Sequence, residues 1–240
     1  MSAATEAPMG TLWGVGLGPG DPDLITRKAA ARIEGAKVIA YPTLAGGDSF
    51  ARAIAADLIC DGTREIRIDV PMTTDRAPAQ AAYDAAASQM ADVLASGQDV
   101  VCLCEGDPFF YGSFMYLFAR LRRRFPVQTI PGVTSVTACA ARSDLPLAAR
   151  NEVLTVLPGP LPDDRLTSHL DQADTLVLMK VGRHLPRLRR LLAAKGLLDQ
   201  AHYVERATLA AERVLPLAQA PEVAPYFSMI LIAKGADPWL

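Results

Sequence analysis

The chain has 240 residues, half of them apolar, a formal net charge of −2 and an isoelectric point near 5.9. That length can bury a large core, in one domain or in two of about 120 residues, and the balanced charge gives no global pull toward nucleic acid or a membrane surface, so an anionic partner must be met by local arginines. No apolar run reaches membrane-spanning length, Met1 to Gly10 lacks a basic start and an apolar core, and four scattered cysteines make no disulfide framework; the expectation is a cytoplasmic protein with reduced, buried thiols.

The strand-like run Thr11–Val15 opens into Gly16-Leu17-Gly18-Pro19-Gly20-Asp21-Pro22, ahead of a helix-like run Leu24–Ala36. Glycines between a strand and a helix bring main-chain N–H groups close to a bound group, unless they serve only as a tight turn. The dinucleotide fingerprint G-x-G-x-x-G fails: counted from Gly14 its third slot holds Pro19, and from Gly16 it holds Asp21. The second strand, Lys37–Ala40, also leads into Tyr41-Pro42 rather than to an acidic residue for a ribose, which sets aside a dehydrogenase. Helix-like runs Ser49–Leu58 and Pro78–Ala95 precede the strand Asp99–Cys104, and directly after it comes Glu105-Gly106-Asp107-Pro108-Phe109-Phe110-Tyr111-Gly112-Ser113. An acidic residue between glycine and proline with three aromatics behind it suits a ligand with hydroxyls or an amino group and a flat ring. The alternative is a helix cap at Asp107 with the aromatics in the core. A helix over Gly112–Arg124 and a strand over Val127–Ile130 lead to Pro131-Gly132-Val133-Thr134-Ser135, which offers hydroxyls and N–H groups at another helix start, as a site or a plain cap.

This alternation predicts an α/β fold with a parallel sheet, whose ligands gather at the carboxyl ends of the strands. It resumes with strands at Val153–Leu157, Thr175–Lys180, His202–Glu205 and Phe227–Ala233 and a helix at Leu185–Lys195. We therefore expect two α/β domains, residues 1–130 and 131–240, with a ligand cleft between them. His169, His184 and His202 show no metal-ligand spacing, so no metal is expected.

Gly16-Leu17-Gly18-Pro19-Gly20-Asp21, Glu105 to Gly112, Pro131 to Ser135 and Val204-Glu205-Arg206-Ala207-Thr208 occur in the order seen in the tetrapyrrole methylases of cobalamin and sirohaem synthesis, a resemblance that spans nearly the whole chain. The segment from Glu105 to Leu117 is similar in particular to the branch that methylates C20 of precorrin-2. The resemblance implies a homodimer of two-domain subunits in which S-adenosylmethionine, as cosubstrate, faces a tetrapyrrole. Its contacts would fall on Pro19, Glu105, Gly106, Asp107, Phe110, Thr134, Ser135, Met179, Ala207 and Phe227, and the substrate side on Gly18 and Gly20. Glu105 departs from the Gly or Ser of many relatives, and Ala207 from the Gly of some. Met179 lies in an apolar run and is equally suited to core packing.

The implied substrate is a polycarboxylate, so arginines in or beside these loops, namely Arg142, Arg150, Arg183 and Arg206, are its expected partners through charge-assisted hydrogen bonds. Arg120, Arg122, Arg123 and Arg124 sit at a helix end and read as a solvated face. The ring carbon of the tetrapyrrole is itself the nucleophile, and a weak base for the displaced proton could be Asp21, Asp107 or Tyr111. Rival readings are methylation at C11 or C17, a cobalt-loaded ring, a methylase of the same fold acting on protein as in diphthamide synthesis, and a tetrapyrrole-binding module without activity.

Overall fold

The computed structural model describes residues 8–44, 47–71 and 75–235. Residues 1–7, part of the stretch read for a targeting segment, lie outside them. The chain divides into two units, the first ending at Thr134 and the second beginning at Ser135.

In the first unit, strands β1 (Leu12–Gly16), β2 (Val38–Leu44), β3 (Arg64–Val70), β4 (Val100–Cys104) and β5 (Val127–Ile130) form one sheet in the order β3-β2-β4-β1-β5. Every pairing is parallel, as the alternation with helices requires. The helices are α1 (Arg27–Glu34), α2 (Phe50–Ile54), α3 (Ala77–Ala95) and α4 (Phe114–Leu121). β1 and β4 are buried at every position because both faces of the sheet are covered. Leu12, Val100, Cys102 and Cys104 pack with α3 and α4, whereas Trp13, Val15, Val101 and Leu103 pack with α1 and α2.

Three features depart from the sequence reading. The first helix begins later than Leu24, because Pro22–Leu24 is a separate 3-10 turn and the Thr26 hydroxyl caps α1 by accepting the Ala29 N–H at 3.2 Å. β3 is a strand the apolar pattern did not flag. Only Ile66 and Ile68 are buried in it, and it is tied in at the sheet edge by Glu65, which accepts from the Tyr41 hydroxyl and, at 2.8 Å, from both Nε and Nη2 of Arg52. Arg120 is not a solvated charge either: it reaches Asp84 at 2.6 Å and the Gln80 side chain at 2.8 Å, tying α4 to α3.

In the second unit, β6 (Leu154–Pro158), β7 (Thr175–Met179), β8 (Ala201–Glu205), β9 (Arg213–Pro216) and β10 (Ser228–Ala233) form a sheet in the order β6-β7-β10-β8-β9, with helices α5 (Ser135–Arg142), α6 (Asp163–Gln172) and α7 (Leu185–Ala194). The expectation of a parallel sheet fails here. Only β6 and β7 pair in parallel, since β10 runs back between β7 and β8 and β9 folds back on β8. Leu166, Leu170, Leu176, Leu178, Leu188 and Ile230 are among the residues that make its core. Cys102, Cys104 and Cys139 are buried free thiols, but Cys60 is exposed, contrary to expectation. No helix among the described residues is long and apolar enough to cross a membrane.

Candidate active site

Within the first unit, β1 lies between β4 and β5 in a register that aligns Gly16 with Cys104 and Val15 with Ile130, so the three loops that follow these strands leave from one edge of the sheet. Main-chain hydrogen bonds stitch the first two loops together: Leu17 N–H donates to Cys104 O at 2.9 Å, Gly18 N–H to Gly106 O at 3.2 Å, and Gly106 N–H to Gly18 O at 2.7 Å. The third loop joins them through glycines. A Cβ on Gly132 would stand 2.1 Å from Gly106 O, and one on Gly16 only 2.5 Å from Gly132 N, so main chains meet here at a separation that no side chain permits. Gly18 and Gly106 hold φ of +81° and +62°, turning the loops away from the strands.

Asp107 links two of these loops. Its Oδ1 accepts the Phe109 N–H at 2.9 Å and its Oδ2 accepts the Gly132 N–H at 3.1 Å. The helix cap suggested by the sequence is not its role, since α4 begins only at Phe114 with Ser113 at its N-cap; Asp107 instead closes a turn within its own loop and makes a bond across 25 residues of chain. As a proton acceptor it would have to share oxygens that already hold main-chain donors. Asp21 acts as a cap, its Oδ1 accepting the Asp23 N–H at 2.9 Å. Pro19 is half-buried between the buried glycines Gly18 and Gly20. The aromatics divide: Phe109 packs against Phe118 and Phe114 at 5.1 and 5.9 Å, while Phe110 meets Tyr111 edge-on at 5.3 Å. Tyr111 is 41% exposed and holds a left-handed φ of +58°, the mark of a side chain placed at the cost of backbone strain.

Burial pushes the Glu105 carboxyl above the ordinary carboxylate value of 4.5, although N–H groups of Glu105 itself and of Ala51 work the other way. A folded form that binds its proton more tightly than the unfolded chain is not penalised below 4.5 and loses stability as pH rises through the folded-state value. Glu105→Gln is therefore expected to raise the melting temperature at pH 7 and to show no gain near pH 4, measured by thermal unfolding across that range. An equal gain at both pH values would contradict the burial of this charge.

The second unit carries the remaining candidates. Ser135 is the first residue of α5, and Thr134, half-buried, is the last residue of the first unit. Met179 ends β7 half-buried, and its carbonyl accepts the Gly159 N–H at 2.6 Å. Arg183 is exposed on the single 3-10 turn Gly182–His184, and Arg150 is exposed with φ of +46°. Ala207 is buried between Arg206 and Thr208, whose φ angles of +50° and +70° are both left-handed, and Arg206 N–H donates to Phe227 O at 2.8 Å. Phe227 is 40% exposed and meets Tyr226 edge-on at 5.1 Å.

Two glutamates beside Arg206–Thr208, Glu205 within the motif and Glu212 beyond it, were not among the candidate site residues. Glu205, 3% exposed, accepts the Tyr203 hydroxyl at 2.5 Å and faces Arg213 at 3.5 Å and Arg206 at 3.8 Å, which satisfies a buried carboxylate. Glu212 accepts the Thr208 N–H at 2.6 Å and pairs with Arg142, whose Nε lies 2.7 and 2.9 Å from its two oxygens and whose Nη2 lies 2.7 Å from Oε1. Arg142, expected beside the substrate, is thus engaged by a carboxylate 70 positions along the chain, a separation that local spacing cannot reveal. Among the described residues no group of three or more His, Cys, Asp or Glu side chains gathers to hold a metal ion.

The family model for tetrapyrrole (corrin/porphyrin) methylases matches residues 11–221. Cobalamin biosynthesis protein CobIJ of Mycobacterium tuberculosis (strain ATCC 25618 / H37Rv) is 46% identical over 235 residues, which are 94% of this chain and 46% of that protein, so the chain spans about half of that relative's length. Precorrin-2 C(20)-methyltransferase of Sinorhizobium sp is 43% identical over 238 residues, 95% of this chain and 97% of the relative. The solved structure of uroporphyrin-III C-methyl transferase from Thermus thermophilus complexed with S-adenyl homocysteine is similar with a TM-score of 0.67 and 27% identity, covering 92% of each chain. Because the family model runs through both units and takes in all three glycine-bearing loops, the chain belongs to the tetrapyrrole (corrin/porphyrin) methylase family.

Proposed function

We propose that this chain transfers the methyl group of S-adenosylmethionine to C20 of precorrin-2, giving precorrin-3A, and that it prefers the metal-free ring to the cobalt-loaded one. The observation that carries the reading is the 43% identity to a precorrin-2 C(20)-methyltransferase over 97% of that relative's length, which leaves no large segment of the relative unmatched. The glycine contact of the first unit suits the cosubstrate: the absent side chains of Gly16 and Gly132 let the three loops meet main chain to main chain, and a Cβ at Gly106 would meet nothing within 4 Å, so that main chain stands open to a bound molecule. The contacts proposed for it are Pro19, Glu105, Gly106, Asp107, Phe110, Thr134, Ser135, Met179, Ala207 and Phe227. We further propose a homodimer that acts in the cytoplasm on a small molecule, without nucleic acid or membrane.

S-adenosylmethionine supplies an activated methyl, and the electron-rich ring carbon attacks it in line. The protein's share is positioning. Holding the two reactants within near-attack distance can contribute on the order of 7–11 kcal/mol of the barrier. Asp107 fixes the loop that carries Phe110 and Tyr111, and the exposed Arg150, Arg183 and Arg206 would receive substrate carboxylates. The proton displaced from the ring carbon needs an acceptor, for which Asp21, Asp107 and Tyr111 are the candidates; the carboxylates of Asp21 and Asp107 already accept main-chain N–H groups.

Incubating the protein with methyl-labelled S-adenosylmethionine and enzymatically made precorrin-2, in parallel with the cobalt-loaded ring, tests this. Label is expected in the pigment, faster with the metal-free ring. No transfer to either ring would overturn the enzyme reading, and equal or faster use of the cobalt form would overturn the preference.

A further inference from the structure

The Arg206–Thr208 segment is held in an unusual shape. Two of its three non-glycine residues, Arg206 and Thr208 on either side of Ala207, are left-handed, and such strain persists only where neighbouring groups impose it. On one side the restraint is the 2.8 Å bond from Arg206 N–H to Phe227 O. On the other it is Glu212, whose Oε2 takes the Thr208 N–H at 2.6 Å. A glutamate side chain alone is a loose tether, with three rotatable bonds. This one is fixed because Arg142, at the end of α5, grips both of its oxygens.

The pairing is also asymmetric in exposure. The Glu212 side chain is 14% exposed and that of Arg142 is 56% exposed, so the arginine covers the carboxylate from outside. The Arg142 guanidinium beside it, with the Thr208 N–H, holds the Glu212 carboxyl below its ordinary value despite the burial, and so keeps it an acceptor at neutral pH.

From this geometry we infer that Glu212 and Arg142 are positioning residues for the cosubstrate: Glu212 fixes Ala207 in the conformation that meets S-adenosylmethionine, and Arg142 fixes Glu212. The inference rests on the proposed function, and it moves Arg142 from the substrate carboxylates, where the sequence placed it, to the cosubstrate. A guanidinium already bound bidentately would have to give up a planar, charge-assisted pair to take another carboxylate.

The test measures S-adenosylhomocysteine affinity by calorimetry, the KM values for S-adenosylmethionine and for precorrin-2, and melting temperature, for the wild type, Arg142→Ala, Glu212→Gln and Glu212→Ala. Arg142→Ala removes a side chain from the surface and leaves the core intact. We expect it to weaken S-adenosylhomocysteine and raise the KM for S-adenosylmethionine roughly five- to tenfold, the loss of one charge-assisted restraint, while the KM for precorrin-2 stays within twofold. Glu212→Gln keeps a carbonyl to accept the Thr208 N–H and should retain more affinity than Glu212→Ala at pH 7. A merely structural pair would lower the melting temperature without separating the two KM values or ranking the amide above the alanine. A rise in the precorrin-2 KM with S-adenosylhomocysteine spared, equal loss of both, or no change in either overturns the inference. Wild-type protein that binds no S-adenosylhomocysteine overturns the proposed function along with it, whereas wild-type binding with unaffected variants overturns the inference alone.

Discussion

Gly132→Ala is expected to cost at least about 3 kcal/mol of stability and to abolish measurable S-adenosylhomocysteine binding, because the added carbon would stand 2.1 Å from Gly106 O and 2.9 Å from the Gly16 main chain. Both obstacles are backbone, so neither can rotate away. Relief would require the loop after β5 to part from those after β1 and β4, which also breaks the bond from Gly132 N–H to Asp107. At this chain length that loss corresponds to a fall of roughly 6–12 °C in melting temperature. Gly62→Ala is the control. Gly62 has a φ of +82° with nothing within 4 Å of a Cβ, so it should lose only the left-handed backbone penalty of about 1–2 kcal/mol and leave binding intact. Thermal unfolding and calorimetry on the two variants check this; equal effects would mean that the close approach of the three loops carries no special weight.

Asp107→Ala should weaken S-adenosylmethionine binding by on the order of 1–3 kcal/mol, the range expected when hydrogen-bonded partners in a partly buried site go unpaired. Two donors lose their acceptor at once, the N–H of Phe109 in the same loop and that of Gly132 across the sheet edge. Asp107→Asn separates the two contributions: its remaining oxygen can serve one donor, while its amide group would face the other N–H, so an intermediate affinity is expected. An affinity unchanged in the alanine variant would remove Asp107 from the site.

The strands that carry the first unit's site were legible because β1 and β4 are short apolar runs, buried at every position, that lead directly into loops rich in glycine and proline. β3 and β9 were missed for a physical reason. Each is an edge strand, β3 burying only Ile66 and Ile68 and β9 burying none of Arg213–Pro216, so neither presents the apolar run that marks a covered strand. α6 was hidden similarly, since Leu166 and Leu170 are its only buried residues in an otherwise polar stretch. The antiparallel placement of β10 depends on which strands it pairs with, and pairing partners leave no mark in a strand's own composition. Site residues divide in the same way. Loops following strands announce themselves by glycine and proline, but the Arg142–Glu212 pair joins α5 to the residue before β9, and nothing local to either residue foretells the other.

Carbon-13 NMR of the pigment made from precorrin-2 and S-adenosylmethionine labelled in its methyl group tests the central claim most directly, because near-attack positioning of the ring decides which carbon meets the methyl. A single labelled methyl on C20 is the predicted result, and a labelled methyl on C11 or C17 would contradict it.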